Sequence, residues 1–364
     1  MRRDGRGGLP DRPARHVNGV HWEDLILRML SKRAVLAAMF AVATAAIGRP
    51  ALAQSTVLIG NATANDTQAA VNDKFAELIT KYSDGRLSAS ARHGQSLGTN
   101  VQMIAALQAG SLQGMVFPAG FLSSAVPELA LFDMPFLLPG EPAKITAFAK
   151  QSKAAEQMKE AAEKKGVHII GFHGIGPQHL LTKFPVNTVA DLKGKKFRVI
   201  PSPPRVGAYQ DWGVVTRPME LGEVYTALQQ GAIDGFADPP DVLFKMKHFE
   251  VADHYTITNQ FAFVSNVIVS KRWFDGLPKD LQDAVTKAGT DAIAWADEAY
   301  TKAQVSSLQA LEGKIEVSEM PPAELQKMKD MAKAGVWARL AEDKRLGPTV
   351  EILKEDVERF NKGT

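Results

Sequence analysis

Apolar and polar positions change period many times along this chain, and the changes mark an alternation of short strands and helices. Thr56-Val-Leu-Ile-Gly60 is a compact apolar run of buried-strand length. Asn65-Asp66 offers a helix cap, after which Val71, Phe75, Leu78, Ile79 and Tyr82 recur on one helical face until Gly85. Leu87, Ala89 and Ala91 alternate with polar neighbours, which predicts a second strand. Thr99 and Gln102 form a capping-box pattern for a helix from Asn100 to Ala109. Strand, helix, strand, helix in this order predicts a parallel or mixed sheet with helices on its faces. Further on, Glu128 to Gly140 is an apolar loop broken by Pro135 and Pro139 that reads as packed core. Glu141 to Lys165 reads as one Ala/Lys/Glu-rich helix, and Val167-His-Ile-Ile170 as the next strand.

The most informative stretch runs from Asp191 to Pro240. Gly194 can release a turn into a strand in which Phe197 and Val199 alternate with Lys196 and Arg198. Val224, Ala227 and Leu228 then repeat at helical spacing, Gly231 sits where a helix would stop, and Ile233 opens another short strand. Ligands of open α/β sheets bind at strand ends, so Arg198 and Asp238 become candidates for one site. This unit has an internal echo. Ala106-Leu-Gln-Ala-Gly110-Ser-Leu-Gln-Gly114-Met-Val-Phe-Pro118 aligns without gaps with Ala227 to Pro239, with six identical positions. Two readings are open: chance between ordinary αβ units, or two lobes of like design that each send a strand end, with Phe117 in the first, into a shared cleft. From Lys279 to about Leu311 the chain stays helical without a proline, a span of roughly 50 Å at about 1.5 Å per residue. The tail, Pro322 to Lys362, is amphipathic and predicted to pack on the second lobe.

Asp191-Leu-Lys-Gly-Lys-Lys-Phe-Arg198-Val, followed by Glu223-Val-Tyr-Thr-Ala-Leu-Gln-Gln-Gly-Ala-Ile-Asp-Gly235, resembles the signature region of the DctP-type solute-binding proteins of TRAP transporters. The likeness runs from about Ser55 to Leu277-Pro278 and more weakly beyond. It implies an α/β, two-lobe periplasmic binding protein-like fold with a long helix spanning both lobes. On this reading residues 54–175 with 264–303 form one lobe, and 176–263 with 304–364 the other. The chain would cross between them near His173 to Pro177 and near Phe261 to Val264. The resemblance also implies an extracytoplasmic, periplasmic protein that captures a small organic acid and delivers it to membrane permease subunits, with no enzymatic activity.

In that family the arginine matching Arg198 forms a bidentate salt bridge with the ligand carboxylate, a task suited to a planar, permanently charged fork. Many members carry a second arginine where this chain has Gln178, beside His179, and an asparagine where it has Asp238. One cation fewer and one anion more argue against a dicarboxylate. Asn100, Phe117, Phe236 and Phe261 complete the candidate ligand-binding set, although aromatics such as Phe236 and Phe261, like Tyr209 and Trp212, are more often core than pocket.

Composition alters this picture at the N-terminus. Met29-Leu-Ser-Lys-Arg33 is a basic segment, Ala34 to Ile47 is uncharged and too short to span a bilayer comfortably, and Ala51-Leu-Ala53 fits a cleavage site. Residues 29–53 therefore read as a signal peptide, with Met1 to Arg28 a disordered upstream extension. Residues 1–53 hold nine Lys+Arg and four Asp+Glu of the 43 and 40 in the whole chain, so the formal +3 becomes −2 without them. Nucleic-acid binding thereby loses its compositional support. The absence of cysteine excludes disulfides, thiolate nucleophiles and Cys-ligated zinc.

Three chemical alternatives were weighed. Gly94-Gln-Ser96-Leu-Gly98 matches a nucleophile elbow, with Asp238 and His254 downstream, and a secreted hydrolase using Ser96 is one rival. With a mature chain starting near Gln54, only about forty residues precede Ser96, too few for the central strands and oxyanion loop of such a hydrolase. Gly171 to Gly176 has the wrong glycine order for a dinucleotide fingerprint, and the histidines show no helical metal pair, so neither cofactor nor metal is expected. A binding subunit of another uptake or sensor system is the second rival. Export predicts a mature chain starting at or near Gln54, to be read by N-terminal sequencing of the periplasmic protein; a mature chain that retains Trp22 would overturn it.

Overall fold

The structure, a computed structural model, describes residues 55–363; the expected extension, signal peptide and new N-terminus lie outside them. In chain order it begins with β1 (Ser55–Gly60), α1 (Thr67–Tyr82), β2 (Leu87–Arg92), α2 (Asn100–Ala109) and β3 (Gly114–Pro118). Asp66 caps α1 by accepting from the Ala69 amide, and Thr99 with Gln102 closes the capping box of α2. Two 3₁₀ turns, Ala119–Ser124 and Pro127–Asp133, carry the apolar loop into the core, where Leu129, Leu131, Phe132 and Met134 are buried.

Then follow α3 (Pro142–Gln151), α4 (Lys153–Glu163), β4 (Val167–Thr182), β5 (Lys196–Val199), α5 (Pro203–Asp211), β6 (Val215–Pro218), α6 (Val224–Gln229), β7 (Gly235–Asp238), α7 (Pro240–Lys245) and β8 (His254–Ser270). The chain ends with α8 (Lys271–Asp275), α9 (Lys279–Glu312), β9 (Glu316–Glu319), α10 (Pro322–Ala332), α11 (Ala338–Glu342) and α12 (Gly347–Lys362).

All nine strands join one sheet in the order β2-β1-β3-β8-β4-β7-β5-β6, with β9 added to β8. β4 and β8, of 16 and 17 residues, pair antiparallel along their length, and everything else hangs from their two ends. At one end β3 pairs with Val269 to Ser265 of β8 and brings parallel β1 and β2. At the other end β7 pairs with His179 to Thr182 of β4 and brings parallel β5 and β6. Along the pair the register slips at Ile169/Gly171, at Gln178/Leu180 and, between them, at Gly174/Gly176, opposite Val264 and Phe263. Gly174 is required there: a Cβ would sit 2.5 Å from the Pro142 carbonyl at the start of α3.

A large core runs from one lobe to the other, from Met103 and Leu107 to Phe197 and Trp212, and each lobe adds a smaller core of its own. Val71, Phe75 and Leu78 of α1 meet Val285, Ala292 and Tyr300 of α9 in one. Leu228, Phe236, Leu243 and Tyr255 meet Leu311, near the end of α9, in the other. The 34-residue α9 thus spans both lobes, as its proline-free length implied.

Two expectations need correction. The 141–165 helix is broken at Ser152, whose extended ψ of 123° ends α3 and whose hydroxyl caps α4 at Ala155. The tail also divides. α10 packs on the second lobe, where the Trp212 indole donates to the Met328 carbonyl. α12 instead returns to α3 and α4: Asp356 accepts from Ser152 Oγ at 2.7 Å and from the Ala154 amide at 2.9 Å, and Phe360 meets Phe148 edge-on. An amphipathic pattern shows that a face will be buried, not against what, and Asp356 finds its partners only once the chain kinks at Ser152.

One buried side chain holds the end of β3 in place. Asn72 is fully buried, and its amide donates to the Val116 carbonyl at 3.0 Å while accepting from the Val116 amide at 3.1 Å, as a neighbouring strand would. Asn72→Leu keeps the branched side-chain outline but strands two backbone groups, each costing about 1–3 kcal/mol. The expected loss is about 2–5 kcal/mol in urea unfolding; an unchanged midpoint would show that β3 does not depend on it.

Candidate ligand-binding site

Arg198 is set by the strand that carries it. In β5, Phe197 and Val199 enter the hydrophobic core, while Arg198 sits between β6 and β7 at 3% exposure rather than on a solvated polar face. Its Nε donates to the Met219 carbonyl at 3.1 Å, and Nη1 lies 3.8 Å from Asp238 Oδ2. Burial weakens the guanidinium's hold on its proton, and the Asp238 carboxylate opposes that shift.

Asp238 ends β7, where Pro239 and Pro240 stop the ladder and start α7. Its Oδ1 accepts from Gln178 Nε2 at 3.1 Å, and Gln178 Oε1 in turn accepts from Arg205 Nη1. Arg205 Nη2 donates to Asp133 Oδ1 at 2.6 Å, and the guanidinium lies 4.6 Å from the Phe261 ring. Asp133, Arg205, Gln178, Asp238 and Arg198 therefore form one buried polar chain. Burial pushes the Asp238 carboxyl up to about 6, against the pull of Arg198, Gln178 and Arg205.

Beside Arg198 and Asp238 lies a small cavity, whose space comes to about 390 Å³ only when the open solvent at its mouth is counted. Polar groups reach it from both lobes: Thr63, Gln68 and Asn100 from the first, Arg198 and Asp238 from the second. The cleft over it is closed by contacts between lobes. Glu220 accepts from Asn100 Nδ2 at 2.8 Å and from Gln95 Nε2 at 3.3 Å, and Asp241 accepts from the Thr67 amide at the start of α1.

The internal echo has a structural counterpart. Gly110 and Gly231 both adopt left-handed φ, of 86° and 71°, and Ala106 and Ala227 each accept from the amides five and six residues on. Both units then send a strand end, at Pro118 and at Asp238, to the same cavity.

Of the residues singled out in the sequence, Arg198, Asp238 and Asn100 line the cavity. Gln178 stands one step behind, orienting Asp238. The three aromatics do not line it. Phe117 points into the core because Pro118, its neighbour on the opposite face of the strand, takes the cavity side. Phe236 lies further back along β7, edge-on to His248. Phe261 stacks between Arg205, Tyr209 and Trp212.

His179 supplies no cation. Burial drives it down to about 3, and its Nδ1 accepts from the amides of Thr258 and Asn259. The sequence reading missed Arg205 and Glu220, which carry no local signal, and Phe121 and Phe263, which follow from the strand end and the crossing strand. Ser96 is exposed, and its two supposed partners are engaged elsewhere: Asp238 with Gln178 and Arg198, His254 with Asp253 and Glu316. No catalytic triad assembles there. Among the described residues no group of three or more His, Asp or Glu is placed to hold a metal ion, and no helix is long and apolar enough to cross a membrane.

Residues 59–343 match the model of the DctP family, bacterial extracellular solute-binding protein, family 7. The chain is 30% identical over 305 residues to the C4-dicarboxylate-binding periplasmic protein DctP of Rhodobacter capsulatus, covering 81% of this chain and 90% of that one. It is 33% identical over 228 residues to the ectoine/5-hydroxyectoine-binding periplasmic protein UehA of Ruegeria pomeroyi, covering 62% and 67%. Its fold is similar to that of a TRAP periplasmic solute-binding protein from Sulfitobacter sp. NAS-14.1 with bound β-D-galacturonate, at a TM-score of 0.77 and 24% identity, covering 82% and 99% of the two chains. The chain belongs to the bacterial extracellular solute-binding proteins of family 7, the DctP-type binding proteins of TRAP transporters.

Proposed function

We propose that this protein captures a small organic acid in the cleft between its lobes, gripping the carboxylate with Arg198, and delivers it in the periplasm to the permease of a TRAP transporter. The observation that carries this reading is Arg198 itself. It is a buried guanidinium at the wall of the cavity, with one backbone hydrogen bond and one carboxylate at 3.8 Å as its partners among the described residues. A buried cation so lightly paired is costly to keep, and an incoming carboxylate can complete its fork. Ligands named for relatives, a C4-dicarboxylate and ectoine, are likewise carboxylate compounds.

Closure provides the second half of the mechanism. The strands that cross between lobes slip register in three places, the middle one at Gly174/Gly176, and side-chain contacts such as Glu220 with Asn100 latch the cleft, so hinge opening about these strands would admit the ligand. The closed form would then be the one offered to the permease.

Arg198→Ala is expected to fold normally and to lose ligand affinity by about 2–5 kcal/mol, tens to thousands-fold, measured by calorimetry. Arg198→Lys should recover only part, because an ammonium cannot make two parallel bonds. Unchanged affinity in the alanine variant would refute the assignment. Glu220→Ala removes the latch to Asn100 and Gln95, and a negative charge that acts on Arg198, while leaving the Arg198 side chain in place; it should weaken binding by about 1–3 kcal/mol, mainly through faster release seen in stopped flow.

A further inference from the structure

We infer that the ligand is a zwitterion: a small carboxylate that also carries a cationic nitrogen close to the carboxylate, on a largely apolar body. This rests on the Arg198 reading and narrows it.

Charge balance is the first argument. Asp133, Arg198, Arg205 and Asp238 are each 3% exposed or less, and the two cations balance the two anions. Glu220 also acts on Arg198, but it is half-buried and occupied with Asn100 and Gln95. A ligand carboxylate adds one negative charge to a closed, buried site, and a dicarboxylate adds two. An unpaired buried charge is expensive, so either Asp238 takes up a proton or the ligand brings a positive charge.

Hydrogen-bond directions decide between these. The Glu220 carboxylate can only accept, so Asn100 must turn its NH₂ toward it and leave Oδ1 as an acceptor. Arg205 can only donate, so Gln178 turns Oε1 to it and its NH₂ to Asp238 Oδ1. Two acceptors at the cavity, Asp238 Oδ2 and Asn100 Oδ1, are then buried without a partner. A ligand nitrogen with several N–H donors satisfies such acceptors and cancels the added charge at once.

The spacing agrees. Arg198 and Asp238 face each other at 3.8 Å, so a ligand that meets both must hold its own opposite charges as neighbours. Apart from Thr63 and Gln68, which are bonded to Asp66 and Asn61, the remaining wall, from Pro118, Phe121, Ile200, Leu221, Val242 and Phe263, offers no side-chain hydrogen bonds, which leaves few partners for the hydroxyls of a sugar acid.

The other titratable groups around Asp238 hold their states. Tyr209 is pushed up to about 12 and Tyr255 is raised as well, both by burial, so neither is an anion, and His179 is neutral. Arg198 and Arg205 remain the cations facing Asp238. Asp238 must be ionised to accept from the ligand. Affinity should therefore be level above about pH 6 and fall as Asp238 protonates below it.

The test uses the exported protein and matched pairs: L-valine with 3-methylbutanoate, L-leucine with 4-methylpentanoate, L-proline with cyclopentanecarboxylate, alongside succinate and galacturonate. Calorimetry at pH 7 in phosphate and in Tris reads affinity and proton uptake together. At least one zwitterion should bind on the order of tenfold to a hundredfold tighter than its deaminated partner, without proton uptake. Asp238→Asn should reverse that order. The inference is overturned by deaminated acids binding equally well with uptake of one proton, by a ranking unmoved by Asp238→Asn, or by binding of no zwitterion in the panel. The buffer comparison is made on the unmodified protein, so it stands if the variant does not fold. Succinate or galacturonate binding that depends on Arg198 would end this inference and leave the carboxylate reading intact. Ligand binding indifferent to Arg198→Ala would end both.

Discussion

The antiparallel pairing of β4 with β8 is the constraint from which the remaining architecture follows. Neither strand could be so long and still serve a single compact sheet, because strands of 16 and 17 residues exceed the width of one lobe. Each end therefore collects its own parallel strands, β3 with β1 and β2 at one and β7 with β5 and β6 at the other. The two strands cross between lobes side by side, with register slips at three levels, the middle one at Gly174/Gly176. Gly174 lets α3 approach this crossing closely, and Gln304 of α9 donates to the Ile175 carbonyl, tying the long helix to the same point.

The buried polar chain exploits this position. Asp133 belongs to the turn after the first lobe's strand end, Gln178 to β4, Asp238 to β7, Arg205 to α5 and Arg198 to β5. Such a network is a poor source of stability, since removing charges from water offsets most of what their pairing returns. Its value is geometric. Arg205 fixes the Gln178 amide, Gln178 fixes one oxygen of Asp238, and the other oxygen is left facing Arg198 and the cavity. Asp238 is thereby positioned without being used up. The aromatic rings of Phe261, Tyr209 and Trp212 pack behind Arg205 and keep water out, which explains why residues that looked suited to a ligand serve as its foundation instead.

Closure contacts differ in kind from this foundation. Glu220 meets Asn100 and Gln95 from a half-buried position, and Asp241 caps α1 from the opposite lobe while standing near Asp66, whose own carboxyl is pushed up to about 6 by burial with a contribution from Asp241. Helix-terminus attraction and carboxylate repulsion thus act on the same contact. A latch made of such opposed terms holds weakly, as release to a permease requires.

The sequence by itself determined the elements and their kind. Caps at Asp66 and Thr99, glycine stops at Gly110 and Gly231, and the proline-free run of α9 are local signals, and each reappears where the spacing put it. The αβ echo and the Asp191–Pro240 stretch were enough to bring Arg198 and Asp238 into one site, because strand ends in such sheets converge on ligands. Tertiary structure decided the rest. Whether Phe117, Phe236 or Phe261 met ligand or core depended on which face of a strand another lobe covers, and α12 docked on α3 and α4 because Asp356 found a kink at Ser152. Arg205 and Glu220 became functional candidates only through partners 27 to 125 residues away in the chain. Short-range patterns follow from backbone geometry and are written locally; charge pairing and the choice of buried face are settled by what folding brings alongside.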